Sequence, residues 1–461
     1  MNSNNLDVLI TDYISNDIVE DDNHFYSSKL AILDTIGCII EASNHENVLQ
    51  YASKNNLTPN FKNPFKNLSA NESYENISWY LTVLTRWFDY NDTFLAKEWA
   101  HPSDNFGSIY SYFFKNKNYK FNDFTNALTK AYEIQGSLCL GTSLNKLGYD
   151  HVFYVKLASG SVFSYLVNNG DTNAIRRTVN NIFLDGPSLR AYRHFPNVGK
   201  RKSWAAADAS KRGIELAIIS NYEDEIYESV QNENKWGFES SFLDNSKIEF
   251  GKELNNWVIQ NILFKVLFPA EFHGQSAVEA AIELSDEFNK NINKFEKVNI
   301  YTHEPAMRII SNKEVLKNAS DRDHSMEYMV AAALLYGELK YEMYEESFEG
   351  FENINNLRKK IFVSEQPQFT KDYYEFSKRY ISNSIEIVYN DNSTSEKITI
   401  ENPIGHPSRR EEAIPLLKDK FLKNVESLFD REKGLEVWDK ITNLEKDDDL
   451  NKFFNILNEY E

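Results

Sequence analysis

A change of apolar period along the chain limits the fold more than any other feature. From about residue 24 to residue 267 apolar residues recur near i, i+3, i+4 and i+7, as in LAILDTIGCIIEA, FTNALTKAYEIQGSLCL and AIRRTVNNIFL. That spacing lays an apolar stripe along a helix. Near residue 270 the period switches. KVNIYTH, from Lys297, alternates as a strand does, and SIEIVYNDNSTSEKITIENP, from Ser384, reads as two strands joined by a polar turn, with a helical SMEYMVAAALLYG between them. After about residue 408, EEAIPLLKDKFLKNVESLF, WDKITNL and LNKFFNILNEY return to helical spacing. The expected fold is therefore mainly α with an α+β insertion. Residues 1–268 and 406–461 form a helical domain built from both chain ends, and residues 269–405 form a smaller α+β lid. Segments 44–76 and 223–250 read as loop-rich. A chain of 461 residues can bury a core in each part.

Composition then removes whole classes of function. The only two cysteines, Cys38 and Cys139, lie in apolar helical stretches, so a disulfide framework is not expected and a reducing, cytoplasmic setting is. An iron–sulfur cluster takes about three or four thiolates, so this chain cannot supply one alone. A net charge of −19 argues against nucleic acid or an anionic membrane as partner. The polar, acidic start MNSNNLDVLITDYISNDIVEDD has neither the basic-then-apolar order of a signal peptide nor the arginine bias of a transit peptide. No apolar run approaches the roughly 18–20 residues of a membrane span. Neither GxGxxG, a GxxxxGK[ST] loop nor a GxSxG elbow is present, so no nucleotide site or serine-hydrolase nucleophile is implied.

Four segments concentrate groups that can do chemistry. RWFDYNDTFLAKEWAHPSDNFGS, from Arg86, gathers Asp89, Asp92, Thr93, Glu98, His101, Ser103 and Asp104. Carboxylates beside an imidazole suit acid/base work, because neighbours tune their pKa values. A capped helix end with a solvated acidic turn has the same composition. A metal site is not expected, since the tight repeated ligand spacing is missing. SLRAYRHFPNVGKRKSWAAADASKRG, from Ser188, brings Arg190, Arg193, His194, Lys200, Arg201 and Lys202 in front of an alanine-rich helix that Ser203 is expected to cap. Such a cluster can hold carboxylates, although an exposed basic loop reads the same way. NILFKVLFPAEFHGQSAVEAA, from Asn261, sets Lys265, Glu271 and His273 among apolar residues at the domain border, a common place for a small-molecule site. NASDRDHSMEYMVAAALLYG, from Asn318, puts Arg322 and His324 at a helix start, capped by Ser320 or Asp321, with Tyr328 on the His324 face.

These segments carry a resemblance. RWFDYNDTFLAKEWAHPSDN, KAYEIQGSLCL, GYDHVFYVKLAS, DGPSLRAYRHFPNVGKRKSWAAADAS, LFKVLFPAEFHGQSAVEAA, THEPAMRII, DRDHSMEYMVA and PIGHPSRR occur in the order found in the MmgE/PrpD family. The chain resembles that family from about residue 25 to residue 425. The resemblance implies a large helical domain from both chain ends with an inserted lid, and usually a homodimer. It also implies a cofactor-independent dehydratase that converts 2-methylcitrate to 2-methyl-cis-aconitate in the methylcitrate cycle of propionate catabolism, with citrate as a further possible substrate. Decarboxylation of cis-aconitate, an epimerase activity, or a catalytically silent carboxylate-binding protein are the alternatives. Carried onto this sequence, Asp89 and His101 become the acid/base pair, and Lys202 and Lys265 the catalytic lysines. Arg190 and Arg193 join the lysines in binding a tricarboxylate, while Thr93, His151, His273 and Tyr328 contact substrate. Glu271 stands where some decarboxylases of the family have histidine, which weakens the decarboxylase alternative.

Overall fold

The computed structural model describes residues 5–18, 21–52, 61–194, 196–311 and 314–459. It is mainly α-helical with a small α+β part, as the change of period predicts. The central helix is Asp22–Ser43. It starts where the Asp21 carboxylate accepts the His24 N–H at 2.6 Å while the His24 ring accepts the Asp21 N–H at 3.2 Å, a reciprocal cap. From Ser28 to Ile40 every residue is buried, so this helix is enclosed on all sides. Its neighbours are Tyr74–Arg86, Phe121–Gly141 and, from the other chain end, Arg410–Val425. Lys420 on that last helix donates to Asp34 Oδ1 and to the Tyr90 carbonyl, both at 2.6 Å. The chain ends are thereby joined beneath the Asp89 loop.

Helices Val152–Val167 and Arg201–Ile219 cross at a pair of glycines. A Cβ on Gly213 would lie 2.8 Å from the Lys156 carbonyl oxygen and 3.0 Å from the Gly160 nitrogen. Any side chain there pushes the helices apart, and both carry site residues at their N-terminal ends.

One apolar core runs through residues Leu6 to Val266 and resumes from Ala413 to Leu457. A second begins at Phe268 and ends with the strand residues Ile385 and Ile387. The second is built on a four-stranded sheet of order β4-β3-β5-β6, with β3 Phe295–Thr302, β4 Ile361–Glu365, β5 Asn383–Tyr389 and β6 Ile398–Ile400. β3 pairs parallel with β4 (Val298↔Ile361) and antiparallel with β5 (Ile300↔Ile385). Val298, Ile300 and Thr302 point inward and their neighbours outward, the period of two seen in the sequence. Helices Gln275–Lys290 and Met326–Tyr336 pack together over this sheet.

Several local expectations are corrected. Ser203 does not cap the alanine-rich helix: that helix starts at Arg201, with Lys200 as a cap residue that makes no side-chain cap bond, and Ser203 is buried in the first turn. Asn318 caps the short helix Ala319–Arg322, and Ser325 caps Met326–Tyr336, in place of Ser320 or Asp321. Segment 44–76 contains helix Glu46–Ala52 and a 3-10 turn at Pro64–Asn67, while its residues 53–60 lie outside the described residues. Segment 223–250 is mostly turns around the short helix Phe238–Phe242. No helix among the described residues is long and apolar enough to cross a membrane.

Candidate active site

Arg86 ends its helix, and the chain turns at Asp89 with φ 50°, a left-handed conformation that aspartate accepts more readily than most side chains. The turn aims both the carboxylate and the carbonyl of Asp89 at Lys265, whose Nζ lies 3.0 Å from Oδ2 and also donates to the carbonyl oxygen. A backbone bridge brings the lysine there: Thr93 and Leu263 exchange N–H···O bonds of 2.9 and 2.8 Å, two residues before Lys265. Arg86 donates to Asp89 Oδ1 at 2.6 Å and to Asn91 Oδ1 at 3.0 Å. Burial alone would raise the Asp89 pKa, but Lys265, Arg86 and His101 together hold its carboxyl well below the usual range.

After β1 (Phe94–Leu95) and β2 (Trp99–Ala100), an antiparallel pair, His101 opens the 3-10 turn Pro102–Asn105. Its Nδ1 lies 2.7 Å from the Asp92 carbonyl oxygen. A carbonyl only accepts, so Nδ1 carries the hydrogen and neutral Nε2 presents a lone pair. Nε2 is 3.5 Å from Asp89 Oδ1. Burial, then the charge of Arg86 and those of Lys265 and His151, hold the imidazole well below its ordinary value despite Asp89. The carboxylates around it shape the turn. Asp92 accepts from Ser103 N–H at 3.0 Å, Ser103 hydroxyl at 2.7 Å and Tyr132 hydroxyl at 2.8 Å. Glu98 accepts the N–H groups of Trp99 and Asn145.

The next wall comes from the GYDHV turn and the basic loop. Arg190 lies over the Trp99 ring, 5.0 Å from its centre, and donates to His151 Nδ1 at 3.3 Å. With Nδ1 accepting, neutral His151 carries its hydrogen on Nε2. That nitrogen and Arg190 Nε are both buried without a hydrogen-bond partner among the described residues. Arg193 donates to Asp150 Oδ2 at 2.6 Å, and Arg193, His151 and Arg190 hold the Asp150 carboxyl far below its usual range against the effect of burial. The rings of His101 and His151 are 6.4 Å apart. In the same loop, His194 and Lys200 are exposed.

The last wall belongs to the second core. Lys202 grips both oxygens of Asp323, at 2.6 and 2.7 Å, and also contacts the Ser320 carbonyl and His324 Nδ1. Its donors are thus engaged within the protein. His273 is fully buried, with Nδ1 at 2.8 Å from Glu271 Oε1 and Nε2 at 3.1 Å from the Tyr373 hydroxyl. It stands edge-on to Trp99, which clusters with Leu95, Leu263, Phe272 and Tyr373.

Like His273, two more residues that the resemblance assigns to substrate have partners within the protein. Thr93 donates its hydroxyl to the Ala100 carbonyl at 2.8 Å, bracing the β1–β2 pair. Tyr328 is fully buried in the second core and donates to the Met343 carbonyl at 2.6 Å. Since Tyr328 sits inside the helix and His324 precedes its cap, the two do not share a helical face. Arg322 likewise serves the second core, bonding the Tyr344 carbonyl and Glu346. The structure adds Arg86, Asp150 and Asp323 to the candidate site, beside the His324 already singled out in the sequence. Arg86 and Asp150 lie within three residues of an expected site residue and Asp323 within the DRDHS motif, but only their partners in space reveal the role.

Comparison with known proteins identifies the family. The MmgE/PrpD N-terminal domain model matches residues 9–251 and the MmgE/PrpD C-terminal domain model residues 268–446. The chain is 37% identical to 2-methylcitrate dehydratase of Escherichia coli (strain K12), over 91% of this chain and 90% of that protein. It is 35% identical to 2-methylcitrate dehydratase of Cupriavidus necator over the same shares, and 35% identical to the mitochondrial 2-methylcitrate dehydratase of Yarrowia lipolytica over 91% and 84%. With both domain models matched and relatives of this identity along nearly its whole length, the chain belongs to the MmgE/PrpD family.

Proposed function

We propose that this enzyme is a hydro-lyase that removes water from 2-methylcitrate to give 2-methyl-cis-aconitate, and that citrate enters the same site. The carrying observation is a neutral imidazole, His101, whose free Nε2 stands among fixed cations. The proton to be removed lies on a carbon that bears a carboxylate, so negative charge grows toward that carboxylate as the C–H bond breaks. Arg190 Nε and His151 Nε2 are unpaired buried donors, and they supply a seat for one carboxylate. Lys265 and Arg86 keep Asp89 ionised, and Asp89 stabilises the imidazolium that His101 becomes. His101 is therefore the base of the pair. Lys202 holds the second core against the first through Asp323, while Arg193 fixes Asp150 beneath His151.

We assign no cofactor to the reaction. In support, an iron–sulfur cluster takes about three or four thiolates, whereas the two cysteines are separate, free and buried. Those free thiols also suit a cytoplasmic, reducing setting. A homodimer and a role in propionate consumption complete the reading.

The test is to incubate the purified, chelator-treated protein with 2-methylcitrate and then citrate, following the ultraviolet absorbance of the conjugated alkene. Absorbance from 2-methylcitrate supports the reading. No signal from either acid, or release of carbon dioxide from cis-aconitate, overturns it. Activity lost on chelation and restored by a metal overturns the cofactor assignment.

A further inference from the structure

The site as described has a base and a carboxylate seat, but dehydration also needs a proton for the hydroxyl that leaves. We infer that His324, held by Asp323, is the general acid, and that its Nε2 passes a proton to the departing hydroxyl. This rests on the dehydratase reading.

The geometry is that of an oriented imidazole. His324 Nδ1 lies 2.5 Å from Asp323 Oδ1, while Lys202 spans both oxygens of the same carboxylate. A carboxylate only accepts, so at 2.5 Å from it Nδ1 carries a hydrogen; Lys202 Nζ, 3.2 Å from the same nitrogen, then gives its hydrogens to the two Asp323 oxygens and the Ser320 carbonyl and not to the ring. The second proton of an imidazolium then sits on Nε2, which no described residue bonds. With 23% of its side chain exposed, against 9% for His101, His324 is the more open of the two imidazoles, suited to meet a substrate from above.

Opposite charge environments divide the roles. His324 acts on the carboxylates of Asp89, Glu271 and Asp323, with Lys202 as the nearby cation. His101 faces Arg86, Lys265 and His151, with Asp89 as its anion. The Asp89 charge feels both rings, which puts both close to one carboxylate.

The step balances. His101 Nε2 takes the proton from the carbon beside the carboxylate, the C–H electron pair becomes the new C=C bond, and the C–O bond to the neighbouring carbon breaks. His324 Nε2–H protonates the oxygen, which leaves as water. His101 ends protonated and His324 neutral, and exchange with solvent resets both. Because Lys202 belongs to the first core and Asp323 to the second, the acid is in place only when the two parts are apposed.

The test compares His324→Gln, Asp323→Asn and His101→Asn on 2-methylcitrate and on its analogue with fluorine in place of the hydroxyl, since fluoride leaves without a proton. His324→Gln is expected to lower kcat for the hydroxyl substrate by about 10²- to 10⁴-fold, with little change in KM, to abolish the alkaline limb of the kcat profile, and to retain most of the wild-type rate on the fluoro substrate. His101→Asn should be impaired on both. Asp323→Asn should move the alkaline limb to lower pH. Equal impairment of a folded His324→Gln on both substrates, or an alkaline limb that His324→Gln and Asp323→Asn both leave unmoved, overturns the role of His324 alone. A wild-type chain that dehydrates neither 2-methylcitrate nor citrate overturns the dehydratase reading itself.

Discussion

Lys265 binds Asp89 twice, through carboxylate Oδ2 at 3.0 Å and through the backbone carbonyl. The lysine thus holds both the charge of the aspartate and its left-handed turn. Burial pulls the Lys265 pKa below its ordinary value against the attraction of Asp89, so the pair is stable only as a pair. Lys265→Ala is expected to cost about 3 kcal/mol or more, because it strands a buried carboxylate, and to reduce activity severely. The double variant Asp89→Asn/Lys265→Met should recover much of the stability in denaturant titration and none of the activity. Full additivity of the single effects would contradict the coupling.

His101→Asn removes the base while keeping a group that can reach the Asp92 carbonyl, and kcat should fall by about 10²- to 10⁴-fold. The pH dependence is more diagnostic. Burial, and then nearby cations, depress the pKa of the free enzyme's His101, so the acid limb of kcat/KM should lie well below the usual histidine range. A bound tricarboxylate offsets those cations, so the acid limb of kcat should lie at higher pH. Coincident limbs in the two profiles would count against His101 as the base.

Arg190 has a buried Nε without a partner and stacks on Trp99. Arg190→Met keeps the apolar contact and removes the donors. The expected result is a rise in KM of about tenfold or more, the worth of a hydrogen bond to a charged group, with the melting temperature little altered. An unchanged KM would show that the substrate does not use this seat.

Tyr328 separates a pocket role from a packing role. Its hydroxyl is committed to the Met343 carbonyl in the second core, so Tyr328→Phe should lower stability by about 1 kcal/mol and leave kcat and KM near wild type. A large loss of kcat would restore the tyrosine to the substrate.

Asp104 is fully buried, with both carboxyl oxygens lacking hydrogen-bond partners among the described residues, and burial pushes its pKa up to about 7 despite Arg86. A carboxyl raised in the folded state contributes stability that is fully present below its unfolded pKa of about 3.9 and is lost as pH rises through the folded value. Melting temperatures from pH 5 to pH 8 should therefore fall less steeply for Asp104→Asn than for wild type. Equal slopes would remove Asp104 as a source of the pH dependence.

What residue order determined is local and periodic. The apolar period changes past residue 270, and the second core, which begins at Phe268, packs helices against strands whose alternate residues point inward. The Asp89 to Asp104 segment was legible as a candidate for acid/base chemistry because its groups are close along the chain. What the sequence left open depends on contacts between distant residues. Which nitrogen of His101 carries the hydrogen follows from the Asp92 carbonyl, a backbone group with no signature in residue type. Thr93 and Tyr328 have the hydroxyls of substrate-binding residues, and only packing shows those hydroxyls given to backbone carbonyls. Lys202 reads as a free cation in a basic loop, yet it meets Asp323 121 residues away. Charge in this site is decided by which opposite charges share a buried volume, and that is set only when the two cores come together.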